Sequence, residues 1–328
     1  MNISRRQAMR MCAAAAAAMS VGLASPAWSW TGKPVRLLVP APAGGAMDIV
    51  ARSLADQMAA SLGQPVMVDN KPGAGGQIAM QALLAAPADG QTLMLTANNV
   101  ITEIPHVMKP AFDPLKDFRP LATVAKNTMV LVTNPALPAK DIKELIAFLK
   151  TKPGTGSFAT YSAGTVSHYA GMIFNQKAGL DLQHVPFAGS PPALVQVMGG
   201  QIDIMFDGLS TSLPQVRSGK LHAVGVASGA RTPLLPNVPT FAEQGYPEID
   251  FTNWFGVYVA SGVPGAPADQ IAAEVRKAAA TVKFKDRILA AGFDGTVEET
   301  PAQLAALLKA DYERNGAIVK AFGIKLNQ

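Results

Sequence analysis

The sequence predicts an α/β protein of two units, in which helices cover largely parallel strands. Three observations carry this. Short β-branched and aliphatic runs alternate with helical patterns, the mark of a parallel sheet buried under helices. Of 328 residues, 49% are hydrophobic and 16% charged, which excludes a disordered chain. The 25 prolines and 29 glycines argue against a helical bundle, and a chain of this length exceeds what one core usually serves.

The first element is an export signal, residues 1–29. Ser4-Arg5-Arg6-Gln7-Ala8-Met9 is a positive start, Met11 to Ala27 carries no charge, and Ala27-Trp28-Ser29 offers small residues for cleavage before Trp30. The paired arginines resemble a twin-arginine signal, with Ala8 where a large apolar residue is usual. The apolar stretch is short for a bilayer span, which needs about 20 residues. The expected mature protein is therefore periplasmic, soluble and unanchored.

Val35 to Val39 reads as a buried strand, followed by the turn Ala43-Gly44-Gly45. Val50, Leu54, Met58 and Leu62 then recur every four residues as one helix face that Gly63 ends. Val66 to Val68 is a strand, Lys71 to Gly76 a loop, Ile78 to Ala86 a helix and Thr92 to Thr96 a strand. Alternation resumes with strand Met129–Val132, helix Asp141–Lys150, strand Ser157–Thr160, helix Ser167–Ala178 and strand His184–Phe187. Helix Pro192–Met198, strand Ile202–Phe206, a short helix near Leu213 and strand His222–Ala227 complete a second unit. A late strand, Trp254–Val259, precedes helices Ala268–Thr281, Lys283–Ala291 and Pro301–Phe322. These last helices have no strands of their own to cover, so they are expected to pack back on the first unit. The chain then crosses twice between domains: 30–124 plus 253–328 form the first and 125–252 the second.

Composition excludes several functions. Removing Arg5, Arg6 and Arg10 with the signal leaves 25 basic against 23 acidic residues, and no basic cluster suggests nucleic acid. The only cysteine, Cys12, lies in the signal, so the mature chain has no disulfide or thiolate chemistry. His106, His168, His184 and His222 show no metal-binding spacing, so neither a metal nor another cofactor is expected. No nucleotide P-loop is present, and Thr160 to Gly164 fails the nucleophile-elbow pattern at its first position.

Two Gly- and hydroxyl-rich loops lie between a strand and a helix: Pro40 to Asp48 and Tyr161 to His168. The first N–H groups of a helix lack intrahelical partners, and the helix dipole is positive there. Two such termini facing across a cleft would hold a small carboxylate without lysine or arginine. The other reading is that every α/β protein needs such turns, and the residues alone weigh the two equally. Asp48 reads equally well as a helix cap or dipole partner and as a residue that fixes the loop or accepts from a ligand ammonium, hydroxyl or bridging water, and Asp207 is as readily a cap of the next helix. Phe187 reads as a core residue and His168 as a hydrogen-bonded helix residue.

These stretches resemble the Bug family, the extracytoplasmic solute receptors of tripartite tricarboxylate transporters. The resemblance runs from about Lys33 to Lys325, through Val39 to Gly45 with Asp48 to Arg52, Val68 to Gly76, and Ala86 to Gly90. It continues in Gly199 to Asp207, Ser218 to Leu221 and Leu235 to Thr240. It implies a type II-like two-domain periplasmic binding protein with a two-strand hinge, near Thr123–Ala125 and Thr252–Trp254, and the ligand cleft between the domains. By resemblance, Pro42, Ala43, Gly44, Gly45 and Asp48 bind the ligand carboxylate together with Ser162, Gly164, Thr165, Ser167 and His168, partly through water. Asn98, Phe187, Ala188, Gly189 and Asp207 approach the rest of the ligand. Ala97-Asn98-Asn99-Val100 departs from a Ser/Thr-rich segment, and Ala188 stands where a basic or polar residue is common.

The expected function is therefore a monomeric, non-enzymatic receptor that delivers a small organic carboxylate to the membrane subunits of a tripartite transporter. The alternatives are a ligand sensor for a signalling partner and an exported hydrolase using Ser162 or Ser167 with His168.

Overall fold

The computed structural model describes residues 33–110, 112–295 and 299–324. The expected export signal, residues 1–29, lies outside them. Within this region the chain begins β1 (Val35–Val39), α1 (Ala46–Leu62), β2 (Val66–Asn70), α2 (Gln77–Leu84) and β3 (Thr92–Ala97). Two short helices follow, α3 (Asn98–Thr102) and α4 (Ile104–Val107), where the sequence pattern assigns no element. The long strand β4 (Phe118–Thr133) leads to α5 (Ile142–Leu149), β5 (Ser157–Thr160), α6 (Val166–Lys177), β6 (Gln183–Pro186) and α7 (Ser190–Met198). Then come β7 (Ile204–Gly208), α8 (Leu209–Arg217), β8 (His222–Ala227), β9 (Thr252–Ala260), α9 (Gly265–Ala280), α10 (Val282–Ala290) and α11 (Pro301–Phe322).

The sheet order is β2-β1-β3-β9-β4-β7-β5-β6, with β8 also paired to β4. Parallel pairs lie at both ends, β1 with β2 and β3, and β5 with β6 and β7. In the middle, β9 pairs antiparallel with β3 and β4. The antiparallel pair β4–β9 joins the halves: Phe118–Thr128 pairs with β9, while Met129–Thr133 pairs with β7 and β8. Both segments expected as crossings, 123–125 and 252–254, lie in this pair. Two register shifts in β4, at Pro120/Ala122 and Thr123/Ala125, interrupt its pairing there, as expected of bulges that bend a strand.

Each half buries its own core. Leu38, Met80, Met94, Ile101, Trp254 and Tyr258 form the first, on the β1–β3 side. In the second half, β4 alternates with period two. Met129 and Leu131 face a cluster with Phe158, Tyr169, Phe174 and Phe206, while Val130 and Val132 face one with Leu194, Val197 and Leu213. Both faces of that part of the sheet are covered, which is why its strands read as unbroken apolar runs.

The final helices correct one expectation. α9 packs on α1 and β4, and α10 packs on α1. α11, opened by a capping box between Thr300 and Gln303, places Leu304 and Leu308 in the first core. Its last turns carry Ile318, Val319 and Phe322 onto the second core. The inner face of this 22-residue helix is apolar at both ends, with the buried Asp311 and Asn315 between, so α11 is a strut between the halves and not a cover for the first alone.

Candidate functional site

A cavity of about 540 Å³ opens between the halves. Ala41 to Met47, with Ala97 and Asn99, form one wall, from the β1–β3 half. Tyr161, Ala188 to Pro191, Gly208, Ser210 and Thr211 form the other. Asn127, Asn253 and Phe255, from β4 and β9, complete the lining. Among the described residues that line it, none carries a charge.

The first wall is the turn from β1 into α1. Its N-cap is Gly45, and no side chain caps the helix. The N–H groups of Ala46 and Met47, at the first two helical positions, are therefore not consumed by a capping side chain. Gly44 has φ +80°, a conformation that favours glycine, and its N–H donates to Asp48 Oδ2 at 2.8 Å. Asp48 is 2% exposed and lies behind the turn. It also accepts from Arg52 Nε at 2.8 Å and Asn70 Nδ2 at 3.0 Å, and Asn70 donates to Ala41 O as well. Burial acts to raise the Asp48 pKa, but hydrogen bonds from Arg52, Gly44 and Asn70 together hold it below the usual value. The aspartate is thus a paired anion that fixes the shape of the turn.

The second wall is built from the starts of α7 and α8. Their N-caps, Gly189 and Gly208, likewise carry no side-chain cap. A Cβ on Gly208 would stand 2.4 Å from Asn127 Nδ2, so only glycine lets β4 and α8 approach here. Asn127 Oδ1 accepts the Ser210 N–H at 3.0 Å, and its Nδ2 donates to Ser210 Oγ at 3.0 Å. Behind this wall Asp207 is fully buried and accepts from the hydroxyls of Ser190, Thr211 and Ser212. Burial pushes its pKa up, against those hydroxyls and the Gly208 N–H.

Of the residues expected at the site, Pro42, Ala43, Gly44, Gly45, Ala188 and Gly189 line the cavity. Asp48 and Asp207 stand behind its two walls. Asn98 turns away: its Nδ2 donates to Asp311 and its Oδ1 accepts the Trp254 N–H at 3.2 Å. Asn99, beside it, faces the cavity instead. Phe187 packs against the cluster around Leu194 and Val197.

Ser162, Gly164, Thr165, Ser167 and His168 are not among the lining residues, although their neighbour Tyr161 is. The start of α6 already holds a carboxyl group, because Val166 N–H donates to Glu103 Oε2 at 2.8 Å. Gly164 donates its N–H to His168 Nδ1 and packs against Val107, while the Thr165 hydroxyl donates to Ser162 O. Glu103 comes from the turn between α3 and α4, and burial lifts its pKa to about 8. The Ser167 hydroxyl donates to Phe206 O and that of Ser162 to Ala163 O, so neither donates to His168. His168 stacks on His184 at 3.9 Å, and burial lowers both to about 4. The hydrolase arrangement has no serine–histidine pair here.

Sequence reasoning missed Asn127, Ser210, Thr211, Asn253 and Phe255, while Asn99, Tyr161 and Ser190 lie in segments it named without singling them out. Two signals could have found some of them. Gly208-Leu209-Ser210-Thr211 repeats the pattern of strand, glycine and hydroxyls seen in the expected loops, and Pro191-Pro192 after Gly189 marks a helix start.

A family model described as "Tripartite tricarboxylate transporter family receptor" matches residues 50–324. This chain belongs to that family. The receptor is 32% identical to Protein BugT of Bordetella pertussis (strain Tohama I) over 311 residues, 94% of this chain and 95% of that protein. Its fold is similar to the solved periplasmic binding protein BugD, with TM-score 0.78 and 32% identity over 89% of this chain and 98% of that one. MatC of Rhodopseudomonas palustris, solved with bound malate, is also similar, with TM-score 0.76 and 30% identity over 87% and 98% of the two chains. The Bug resemblance read from the sequence and the two-domain periplasmic-binding-protein fold therefore hold. The family is one of solute receptors, not an enzyme class. Among the described residues no helix is long and apolar enough to cross a membrane, and no acidic, histidine or cysteine cluster could hold a metal.

Proposed function

We propose that this receptor is exported to the periplasm, binds a small organic carboxylate in the cavity between its domains and delivers it to the membrane subunits of a tripartite transporter. Residues 1–29 act as the signal, through the twin-arginine route. Residues 30–124 with 253–328, and 125–252, are the two domains, which close about β4 and β9. The carboxylate rests on the 42–46 turn. The receptor works as a monomer, without cofactor or catalysis.

One observation carries the reading: the start of α1 faces the cavity without a side-chain cap, in a lining that carries no charge. Unpaired N–H groups and the positive end of a 17-residue helix suit an anion small enough to enter. Removal of water on closure strengthens such bonds. The malate bound by MatC is a carboxylate of this size class.

Ala46→Pro tests it. Ala46 is the first helical residue, a position where proline fits, and Gly45 already has the extended φ −78°, ψ 172° that a residue before proline adopts. The substitution removes one N–H and little else. Protein unfolded and refolded to strip ligand, then titrated calorimetrically with a carboxylate panel, is expected to lose roughly 10- to 100-fold in affinity, the worth of one charge-assisted hydrogen bond. Unchanged affinity with an unchanged thermal midpoint would sink the proposal.

A further inference from the structure

The two walls differ in what they can offer a ligand, and this extends the carboxylate reading, on which it rests, to the ligand's far end. At the second wall backbone donors are scarce. α7 starts Ser190-Pro191-Pro192, so two of its first three residues have no N–H. At α8 the Ser210 N–H is taken by Asn127. The Ser210 hydroxyl accepts from Asn127 Nδ2, and the other two wall hydroxyls are committed: those of Ser190 and Thr211, both lining the cavity, direct their hydrogens to Asp207. A hydroxyl has one hydrogen and two lone pairs, so these two present acceptors to the cavity. Asn253 Oδ1, on β9 in the lining, is a buried acceptor with no partner among the described residues, as is Asn99 Oδ1 on the first wall.

Electrostatics points the same way. Asp48 is paired with Arg52, whereas Asp207 is held by hydroxyls and a backbone N–H, with no cation among its hydrogen-bond partners. A second carboxylate at this wall would meet lone pairs and an aspartate without a counter-charge, and among the described residues of the lining none carries a positive charge to offset them. A hydroxyl or ammonium group would instead supply the hydrogens that the acceptors lack.

We propose that the ligand is a carboxylic acid whose far end is a hydrogen-bond donor, a hydroxyl or an ammonium group, and not a second carboxylate. Asp207 sets this preference by turning the Ser190 and Thr211 hydroxyls inward.

The test is a matched titration of stripped full-length mature receptor. At each chain length from four to eight carbons, the probes are the ω-hydroxy acid, the ω-amino acid, the α,ω-diacid and the plain fatty acid. Starting at four carbons, these are 4-hydroxybutanoate, 4-aminobutanoate, butanedioate and butanoate. At the best length, the hydroxy or amino acid is expected to bind at least tenfold tighter than both the diacid and the plain acid. A diacid that binds as tightly overturns the inference and leaves the carboxylate reading intact, as does a plain acid that matches the hydroxy acid. If none of the acids binds, the carboxylate reading itself fails. Asp207→Asn, whose amide can donate to one hydroxyl and release that hydrogen outward, should narrow the preference over the diacid severalfold; an unchanged ratio removes Asp207 from the account. Thr211→Val is the second variant. It should weaken the hydroxy acid and leave the plain acid unaffected, and equal losses for both would overturn the acceptor role.

Discussion

Two aspartates stand behind the two walls of one cavity, and they are held in opposite ways. Both are buried and sit beside an uncapped helix start with a glycine N-cap. Asp48 has the Arg52 guanidinium at 2.8 Å, and its pKa is held low. Asp207 has three hydroxyls and a backbone N–H, and burial drives its pKa up. The same local architecture therefore gives two different surfaces. A paired aspartate is electrically spent and leaves its helix start free for an anion. An unpaired one draws the neighbouring donors to itself and leaves acceptors facing outward. Strand, glycine and helix alone do not decide what a wall binds; the counter-charge behind it does.

Breaking the first wall should have the largest effect. Asp48→Ala leaves the Gly44 N–H, one Asn70 N–H and the Arg52 Nε without their acceptor. A loss of about 2–3 kcal/mol in unfolding free energy is expected, the scale for stranding buried donors. Carboxylate affinity should fall with it, because the 42–46 turn loses its anchor. Urea unfolding measures the first and calorimetry the second. If stability falls while carboxylate affinity stays the same, the turn holds its shape without Asp48.

A third carboxylate sharpens the comparison by lying outside the cavity. Glu103 occupies the start of α6, where the sequence reading had placed the ligand. Its pKa is lifted from 4.5 to about 8 by burial, with a smaller push from Asp311. A raised folded-state pKa means that the native protein keeps a proton the unfolded chain releases. This contribution to stability is fully present below pH 4.5 and is lost as pH rises to about 8, by up to about 1.4 kcal/mol per pH unit. Glu103→Gln keeps an oxygen for the Val166 N–H and removes the titration. The stability difference, variant minus wild type, should therefore grow between pH 5 and pH 8. His168 and His184 titrate with the opposite sign, both lowered to about 4, but they are common to both proteins and cancel in the difference. A flat difference would show that Glu103 is ionised in the native state.

How much of this was legible in the sequence follows from the range of the interactions. The 42–45 turn could be read because its signals are local: a strand ending at Val39, two glycines and a helix period beginning at once. β8 and α11 fall at the residues the pattern predicts, His222–Ala227 and Pro301–Phe322, each with strong periodicity or a capping signal. β7 is read two residues early. β4 is read only from Met129, because Pro120, Lys126 and Asn127 break the apolar run that its first part would otherwise show. Helices α3 and α4 escape because Asn98-Asn99 and Pro105 look like loop. Distant groups hold Asn98 there, Asp311 and the Trp254 N–H. The same limit applies at α6: no local signal reveals that Glu103, 63 residues away, will take its first N–H.

The smallest expected effect is the most direct test of the difference between the walls. Pro191 lines the cavity at the second position of α7, and Pro191→Ala would restore an N–H there. The variant should lose about 0.4–1 kcal/mol of stability, since its unfolded chain gains freedom. The new donor lies beside hydroxyl oxygens that have none to spare for an anion. Affinity for the best diacid should therefore rise a few-fold, while a hydroxy acid of equal length, already matched by acceptors, gains nothing. Calorimetric titration of both ligands against both proteins gives the ratio. If the diacid gains nothing, the scarcity of backbone donors is not what disfavours it, and the charge of Asp207 alone must account for the second wall. If both ligands gain equally, the wall does not discriminate between them, and the contrast with the first wall disappears.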